Sequence, residues 1–376
     1  MGKIHAAISF NLDQHIVAAA LPLFETEKVS AIEWSFDTLY KVPDIPGWFV
    51  ELLQAFGNEH RLIGHGVYYS LFSGSWSPDQ DKWLKHLEKM CASFRFDHIS
   101  EHFGFMTGEN FHQGAPLPIP YTPSTLALGR DRLNRIYQAC QCPVGLENLA
   151  FAYSLEEVKR HGVFLEELVS PINGFLILDL HNVYCQAVNF QVSPEELLNW
   201  YPLERVREMH ISGGSWEDST IIPGKQIRRD THDDSVPEEV FVLLKKAIRL
   251  CPNVKFVVLE QLANGLSSPA KQAGFREDFG RMESIVANAH DGNARFLNDF
   301  LPHGFNPPGT PVHDTQLSEQ QLTLSRILEH AEGYEQARQQ LESSSLSNTA
   351  WQIEHWDPSM LQAAVSIAQK WKNGFA

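Results

Sequence analysis

The sequence predicts an α/β fold, a (β/α)8 TIM barrel with a C-terminal helical extension. Eight short apolar runs of the β type occur between positions 6 and 262, and helix-like stretches lie between them. Such alternation is typical of a barrel of parallel strands. No G-x-G-x-x-G turn follows the first run, which argues against an open dinucleotide-binding sheet. The length of 376 residues suits a barrel of roughly 250–300 residues plus a further module.

The predicted strands are short runs in which apolar residues dominate. AAISF and KFVVLEQL, the first and the last, show the aliphatic and aromatic composition that suits a buried strand. In chain order the predicted strands are 6–10, 30–36, 61–70, 96–105, 143–150, 174–184, 206–214 and 255–262. In a closed barrel of parallel strands, their carboxyl ends meet at one mouth.

Between these runs lie longer stretches with the mixed polar and apolar pattern of helices. Two of them open with a serine followed three residues later by a glutamate, Ser154 with Glu157 and Ser193 with Glu196, which is typical of a helix N-terminus. The predicted helices include 79–94, 124–140, 154–169, 193–201 and 236–251.

The pattern changes near residue 281, where the strand-like runs stop. A segment rich in proline and glycine, LPHGFNPPGTPVHD at 301–314, leads into helix-like stretches at 317–343 and 358–373. We therefore predict two parts, a barrel of residues 1–280 and a helical extension of residues 281–376.

The charge and composition limit the kinds of partner. The chain has 30 Lys and Arg against 46 Asp and Glu, a net charge of −16. This balance disfavours non-specific contact with nucleic acid or with an anionic membrane surface. No run of about 18 apolar residues predicts a membrane span. The five cysteines are thinly spread and fit a reducing compartment. We expect a cytoplasmic protein that binds neither nucleic acid nor membrane.

Residues of metal-binding types close six of the predicted strands. In a TIM barrel the chemistry lies at the carboxyl ends of the strands. The residues found there are His65, His102, Glu147, Asp179 with His181 and Asn182, His210 and Glu260. The loop RRDTHDD at 228–234 adds Asp230 and His232. A single histidine in an apolar strand is more often a hydrogen-bonded core residue than a ligand. Six such strand ends in succession indicate a common site.

Carboxylates and imidazoles gathered at one mouth would be costly to bury unless cations lay among them. The mixture of oxygen and nitrogen donors favours Fe, Mn or Zn over a calcium or magnesium cage. Because one ion takes about four to six ligands, a set this large predicts more than one ion.

The motifs around these residues resemble a known family. They are GHGVYYS (64–70), SEHFGF (100–105), PLPIPYT (116–122), LENLA (146–150), LDLHNVYCQAVNF (178–190), HISGG (210–214), DTHDDSVP (230–237) and LEQ (259–261). Their order is similar to that of the multinuclear non-heme iron-dependent oxidative enzymes of the xylose-isomerase-like TIM barrel superfamily. It also resembles the trinuclear-metal apurinic-site endonucleases, which usually have histidine where this chain has Asn182.

The resemblance implies two or three iron ions in a mixed-valent Fe(II)/Fe(III) state, with O2 as cosubstrate. It implies one iron held by His65, His102 and Glu147. It implies a second iron held by Glu147 as a bridge, with Asp179, His210 and Glu260. A third, more loosely occupied iron would be held by Asn182, Asp230 and His232. Glu147, Asp179 and His210 are the implied catalytic residues.

The resemblance further implies oxidation of a residue, often cysteine, in a ribosomally synthesised precursor peptide. A small partner protein that binds the peptide's leader is implied with it. One alternative is a Zn- or Mn-dependent phosphodiesterase of the apurinic-endonuclease type, or a metal-dependent sugar isomerase. Another is a non-enzymatic peptide-binding module on a decayed barrel. The net charge argues against a DNA-binding surface. The full set of candidate ligands argues against a barrel that has lost its metal site.

Overall fold

A closed barrel of eight parallel strands forms the centre of the molecule and confirms the predicted fold class. The computed structural model describes residues 3–39, 44–108, 110–289, 298–304 and 308–374. Its strands are β1 His5–Ser9, β2 Ala31–Trp34, β3 Leu62–Gly66, β4 Ile99–His102, β5 Phe105–Met106, β6 Pro116–Leu117, β7 Val144–Glu147, β8 Phe175–Asp179, β9 Val206–Ile211, β10 Trp216–Asp218, β11 Gln226–Arg228 and β12 Phe256–Leu259. The barrel follows the order β1-β2-β3-β4-β7-β8-β9-β12, and β12 pairs with β1.

Each barrel strand overlaps one predicted run, but the sixth run is wrong at its carboxyl end. The predicted strand 174–184 stops at Asp179, and residues 180–184 are helical. The Asp179 carboxylate accepts a hydrogen bond from the backbone N–H of Asn182 at 2.7 Å and so caps the new helix. His181 and Asn182 therefore lie in the first turn of a helix and not on alternate faces of a strand.

The helices surround the barrel and complete the mouth. They are α1 Gln14–Glu25, α2 Gly47–Asn58, α3 Pro78–Ser93, α4 Pro123–Cys140, α5 Leu155–Val169, α6 Leu180–Phe190, α7 Pro194–Leu198, α8 Glu238–Leu250, α9 Pro269–Ala289, α10 Thr315–His330, α11 Tyr334–Glu342 and α12 Pro358–Trp371. Both predicted caps are present, because Ser154 Oγ accepts from Glu157 N at 3.3 Å and Ser193 Oγ accepts from Glu196 N at 3.5 Å. Across the described ranges, no helix combines the length and the apolar character needed to cross a bilayer.

Two antiparallel hairpins enlarge the loops at the mouth. β5 pairs with β6 in the loop after β4, and β10 pairs with β11 in the loop after β9. The second hairpin returns the chain to the mouth at Arg228, two residues before Asp230. It therefore delivers the segment 228–234 to the same end of the barrel as the strand ends.

The helices α10, α11 and α12 pack on one another and on the loops of the mouth. The Trp356 ring stacks on Tyr153 with centroids 3.7 Å apart, and Gly74 N donates to Gln321 Oε1 at 2.9 Å. The helix-like stretch 317–343 covers two helices, because Glu332 and Gly333 interrupt it. Residues 305–307 of the predicted joint lie outside the described residues. The division of the chain at residue 280 stays a prediction, and α9 runs across that position.

Candidate metal centre

Five of the nine candidate ligands lie near the carboxyl ends of barrel strands: His65, His102, Glu147, Asp179 and His210. Glu260 follows β12 directly, Asn182 lies in α6, and Asp230 and His232 lie in the loop after β11. Side chains alternate along a strand, so residues two apart face the same side of the sheet. The strand register then brings ligands of neighbouring strands together. His102 on β4 lies opposite Glu147 on β7, and Asp179 on β8 lies opposite His210 on β9. The predicted convergence at the mouth follows from this register.

The first donor group consists of His65, His102 and Glu147. Their ligand atoms lie within 4.8 Å of one another, and Glu147 Oε2 is 3.3 Å from His65 Nε2 and 3.5 Å from His102 Nε2. His102 Nδ1 lies 3.1 Å from the carbonyl oxygen of Gly66, and His65 Nδ1 lies 2.8 Å from Ser100 Oγ. These contacts turn the Nε2 atom of both rings toward Glu147, which is the arrangement that a metal ligand needs.

The second donor group consists of Glu147, Asp179, His210 and Glu260. Their ligand atoms also lie within 4.8 Å of one another. His210 Nδ1 is 3.1 Å from Glu260 Oε2 and 3.7 Å from Glu147 Oε1. Glu147 therefore belongs to both groups and turns one oxygen toward each. This is the geometry required of a carboxylate that bridges two ions.

The third donor group consists of Asn182, Asp230 and His232, which line one cavity at the mouth of the barrel. His232 Nε2 is 2.9 Å from Asp230 Oδ1. Asn182 Nδ2 donates to the carbonyl oxygen of Asn148 at 2.7 Å. Glu260 links this group to the second one, because its Oε2 is 3.8 Å from His232 Nδ1. The structure thus brings all nine candidate residues to one end of the barrel.

His181 contacts Asp230 of the third donor group on the side away from the cavity. Its Nδ1 lies 2.9 Å from Asp230 Oδ1, and Arg228 Nε donates to its Nε2 at 3.2 Å. An imidazole that accepts at Nε2 carries its proton on Nδ1, so His181 donates to Asp230. The side chain holds the orientation of the Asp230 carboxylate without facing the cavity itself.

Several buried atoms of these groups have no hydrogen-bond partner among the described residues. They include Asp179 Oδ2 and Asn182 Oδ1. Burial raises the pKa of Asp179, and the negative charges of Asp230 and Glu147 raise it further. A cation would satisfy the free oxygens and offset the excess of negative charge. The residues therefore fit a bound metal ion.

Without an ion, protons supply the positive charge. Burial disfavours the charged form of His65, but its hydrogen bond with Glu147 outweighs this and raises its pKa to about 10. Burial also opposes the charge of His232, and the Asp230 carboxylate raises its pKa to about 10. Burial lowers the pKa of His102 to about 4, so this ring stays neutral. An arriving metal ion must displace protons from His65 and His232, so metal binding releases protons.

The sequence reasoning missed Glu33 on β2. Glu33 is fully buried, and its Oε2 lies 3.1 Å from His210 Nε2. This contact holds the ring with Nε2 toward Glu33 and Nδ1 toward the second donor group. The signal was present, since Glu33 is a charged residue between Ile32 and Trp34 in an apolar run. Glu33 lies inside the predicted run 30–36 and not at its end, so a prediction from strand ends does not include it.

Buried polar side chains continue from His210 along the barrel axis. Glu208 Oε1 lies 3.4 Å from His210 Nε2, and Glu208 Oε2 lies 2.7 Å from His98 Nε2. His98 Nδ1 in turn lies 3.0 Å from Asp97 Oδ1, which accepts from Arg207 Nη2 at 2.7 Å. We call Asp97, His98, Glu208 and His210 the axial column. It replaces part of the apolar layers that ordinarily fill such a barrel.

A cavity of about 260 Å³ lies over the donor groups. Its floor contains His65, Glu147 and Asp230, and its walls include Ile227 of β11. Residues of α12 form a further part of the wall. The candidate ligands thus lie at the bottom of a space that a small part of a substrate could enter.

Comparison with known proteins gives a family match over more than half of the chain. A family model described as "RiPP precursor modification enzyme MbnB/TglH/ChrH" matches residues 38–265. A UPF0276 protein of Acaryochloris marina is 26% identical over 222 residues, which are 58% of this chain and 76% of that protein. A UPF0276 protein of Caulobacter vibrioides is 26% identical over 199 residues, which are 53% of this chain and 68% of that protein.

Solved structures with similar architecture include an L-ribulose 3-epimerase, with a TM-score of 0.49 and 12% identity over 77% of this chain and 96% of that one. A xylose isomerase-like TIM barrel protein from Mycobacterium smegmatis, in complex with magnesium, has a TM-score of 0.44 and 12% identity over 73% of this chain and 91% of that one.

Proposed function

This chain belongs to the MbnB/TglH/ChrH family of RiPP precursor modification enzymes, and from that premise we propose that it oxidises one residue of a ribosomally synthesised precursor peptide with iron and O2. The observation that carries the proposal is the position of Glu147. Its Oε2 faces His65 and His102, and its Oε1 faces His210. One carboxylate shared by two donor groups supports a bridged pair of ions at the floor of one cavity.

The proposal assigns one iron to the first donor group and a second iron to the second group. A third, more loosely held iron belongs to the third group, in which Asn182 and His232 are neutral ligands. Glu147, Asp179 and His210 are proposed as catalytic because they surround the shared pair. The first group offers three protein donors and the second offers four, which leaves open positions for substrate and O2.

Bound iron, in a mixed-valent Fe(II)/Fe(III) state, would supply electron transfer to O2 and Lewis-acid sites for the substrate. The protein would contribute orientation. Ser100 and Gly66 fix the rings of His65 and His102, and Glu33 fixes that of His210. Fixed rings keep the donor atoms in place when a substrate side chain, such as a cysteine thiolate, binds.

The proposed partners are the precursor peptide and a small protein that binds its leader. A cytoplasmic location is part of the proposal. All five cysteines of the chain are unpaired, which supports a reducing compartment.

Metal analysis and peptide mass spectrometry test the function. We expect protein purified without oxygen to contain two or three iron ions per chain. We also expect short precursor-like open reading frames beside its gene, co-expressed with the enzyme, to yield peptides whose mass changes only when O2 is present. Zinc or manganese in place of iron, together with unchanged peptides, would contradict the proposal. Assays with abasic-site DNA and with sugars would then test the two metal-dependent alternatives.

Asp230→Ala tests the third donor group. Asp230 is the carboxylate of that group, and the first two groups do not use it. We expect the variant to lose the third iron and to keep the other pair, as counted by Mössbauer spectroscopy. Asp233→Ala in the same loop is the matched control, because Asp233 accepts from Thr231 Oγ1 and belongs to no donor group. Loss of the bridged pair in Asp230→Ala would refute the division into three groups.

A further inference from the structure

The helix α12 forms one wall of the cavity over the donor groups. Met360, Ala363, Ile367 and Trp371 all line the cavity, and their spacing places them on one face of the helix. Met360 and Ala363 pack on Ile227 of the β10–β11 hairpin. This wall lies outside residues 38–265, the part of the chain that matches the family.

Three loops of the mouth hold α12 in place. At its beginning, Asp357 N donates to the carbonyl oxygen of Tyr153 in the loop after β7 at 2.9 Å. In its middle, Ser366 Oγ donates to Glu217 Oε1 of the β10–β11 hairpin at 3.1 Å. At its end, the carbonyl oxygen of Trp371 accepts from Gly114 N in the loop after β5 at 3.0 Å. The helix is therefore a fixed part of the mouth.

The wall and the floor of the cavity differ in chemistry. The floor consists of the charged and polar donor groups, whereas Met360, Ala363 and Ile367 present only apolar atoms. Arg229, which also lines the cavity, is paired with Glu217. Lys370 of α12 also lines the cavity, but it lies at the exposed end of the helix, with its Nζ 4.7 Å from the centroid of the Trp371 ring. The face formed by Met360, Ala363 and Ile367 offers no charged partner, so a charged side chain pressed against that face would lose its water without compensation. An apolar side chain would gain by burial there.

We infer that α12 selects the substrate: the cavity takes a precursor peptide that has an apolar residue next to the residue presented to the donor groups. This inference rests on the proposed function, because it takes a precursor peptide as the occupant. The volume of about 260 Å³ is just below the range of about 300–1,000 Å³ typical of small-molecule sites, so it suits one or two residues of an extended peptide.

The test is a binding selection with the full-length, iron-loaded protein under anaerobic conditions. The probe is a displayed library of peptides with one fixed cysteine and randomised residues on both sides. We expect apolar residues to be enriched next to the cysteine. Of two matched peptides made afterwards, the one with leucine beside the cysteine should bind about ten- to hundredfold tighter than the one with asparagine, which is similar in size and carries no charge that could pair with Lys370.

Two variants of the wall make the test specific. Ala363→Trp fills the cavity and should abolish the binding of the leucine peptide. Ile367→Glu, at a half-buried position that tolerates change, should shift the enrichment toward lysine and arginine. Gln340→Trp, on an exposed face of α11, is the matched control and should bind like the unchanged chain.

The inference is overturned if the unchanged chain shows no apolar preference, or if folded, iron-loaded Ile367→Glu keeps the original preference. Melting temperature and iron content establish folding and loading for each variant. Absence of iron, or of any oxidised peptide, would instead count against the proposed function. The two failures are distinguishable because the selection measures binding and not turnover.

Discussion

Glu147→Gln is expected to remove two iron ions per chain and to lower activity by about three orders of magnitude or more. Burial raises the pKa of Glu147, but hydrogen bonds with His210 and His65 outweigh it and hold this pKa well below its usual value. The side chain is therefore a carboxylate with one oxygen turned toward each donor group. An amide retains one oxygen and replaces the other with an NH2 that cannot bind a metal. It also removes the charge that both ions share.

Elemental analysis and Mössbauer spectroscopy of protein prepared without oxygen would count the remaining ions. Glu157→Gln is the matched control, since Glu157 accepts from Tyr153 N at 2.7 Å and takes no part in the donor groups. The control should keep its full complement of iron. If Glu147→Gln loses only one ion, Glu147 does not bridge.

Glu33→Leu should weaken iron binding by the second donor group about 10- to 100-fold. Leucine removes the carboxylate that lies 3.1 Å from His210 Nε2 and leaves this atom only the longer contact with Glu208. The ring is then free to turn its Nδ1 away from Glu260. Glu33→Gln keeps an acceptor oxygen of the same shape, so it should retain most of the affinity.

Competition with an iron chelator, followed by Mössbauer spectroscopy, would show which ion each Glu33 variant releases. The first donor group should keep its iron in both variants. Equal loss in Glu33→Leu and Glu33→Gln would show that the contact of an acceptor oxygen with His210 is not the cause. Retention in both would show that Glu33 does not position the ring.

The barrel could be predicted because its strands are short, apolar and separated by helices with charged faces. The sequence does not show where a strand passes directly into a helix, as at Asp179, because the apolar run 174–184 continues through both elements. Helix-like stretches are predicted between all the strands, but the bounds of α1 and α2 are hard to predict. Their sequences, QHIVAAALPLFE and GWFVELLQAFGN, carry few charges, so they lack the polar face that marked the other helices.

The candidate site could be predicted where its residues close a strand, since topology alone brings strand ends together. The family match over residues 38–265 confirms the resemblance that was inferred from the motifs around these residues. The roles of the residues as metal ligands stay predictions. Glu33 and Glu208 precede the ends of their strands. Predicting their place beside His210 therefore requires knowing which side chains of each strand point into the barrel. The contact of α12 with the mouth joins segments far apart in the chain, and no local pattern encodes it.

The axial column links positions that are distant in the sequence, and this affects how the chain can change. Each member contacts the next, so replacing one removes a partner of a buried polar neighbour, at a cost of about 1–3 kcal/mol. Replacing two neighbours together by apolar residues removes both groups and costs less. Because His210 is also a proposed metal ligand, we expect the other three positions, Asp97, His98 and Glu208, to vary together rather than one at a time during evolution. A substitution at Asp97 then bears on the tolerated residues at Glu208, on the opposite side of His98.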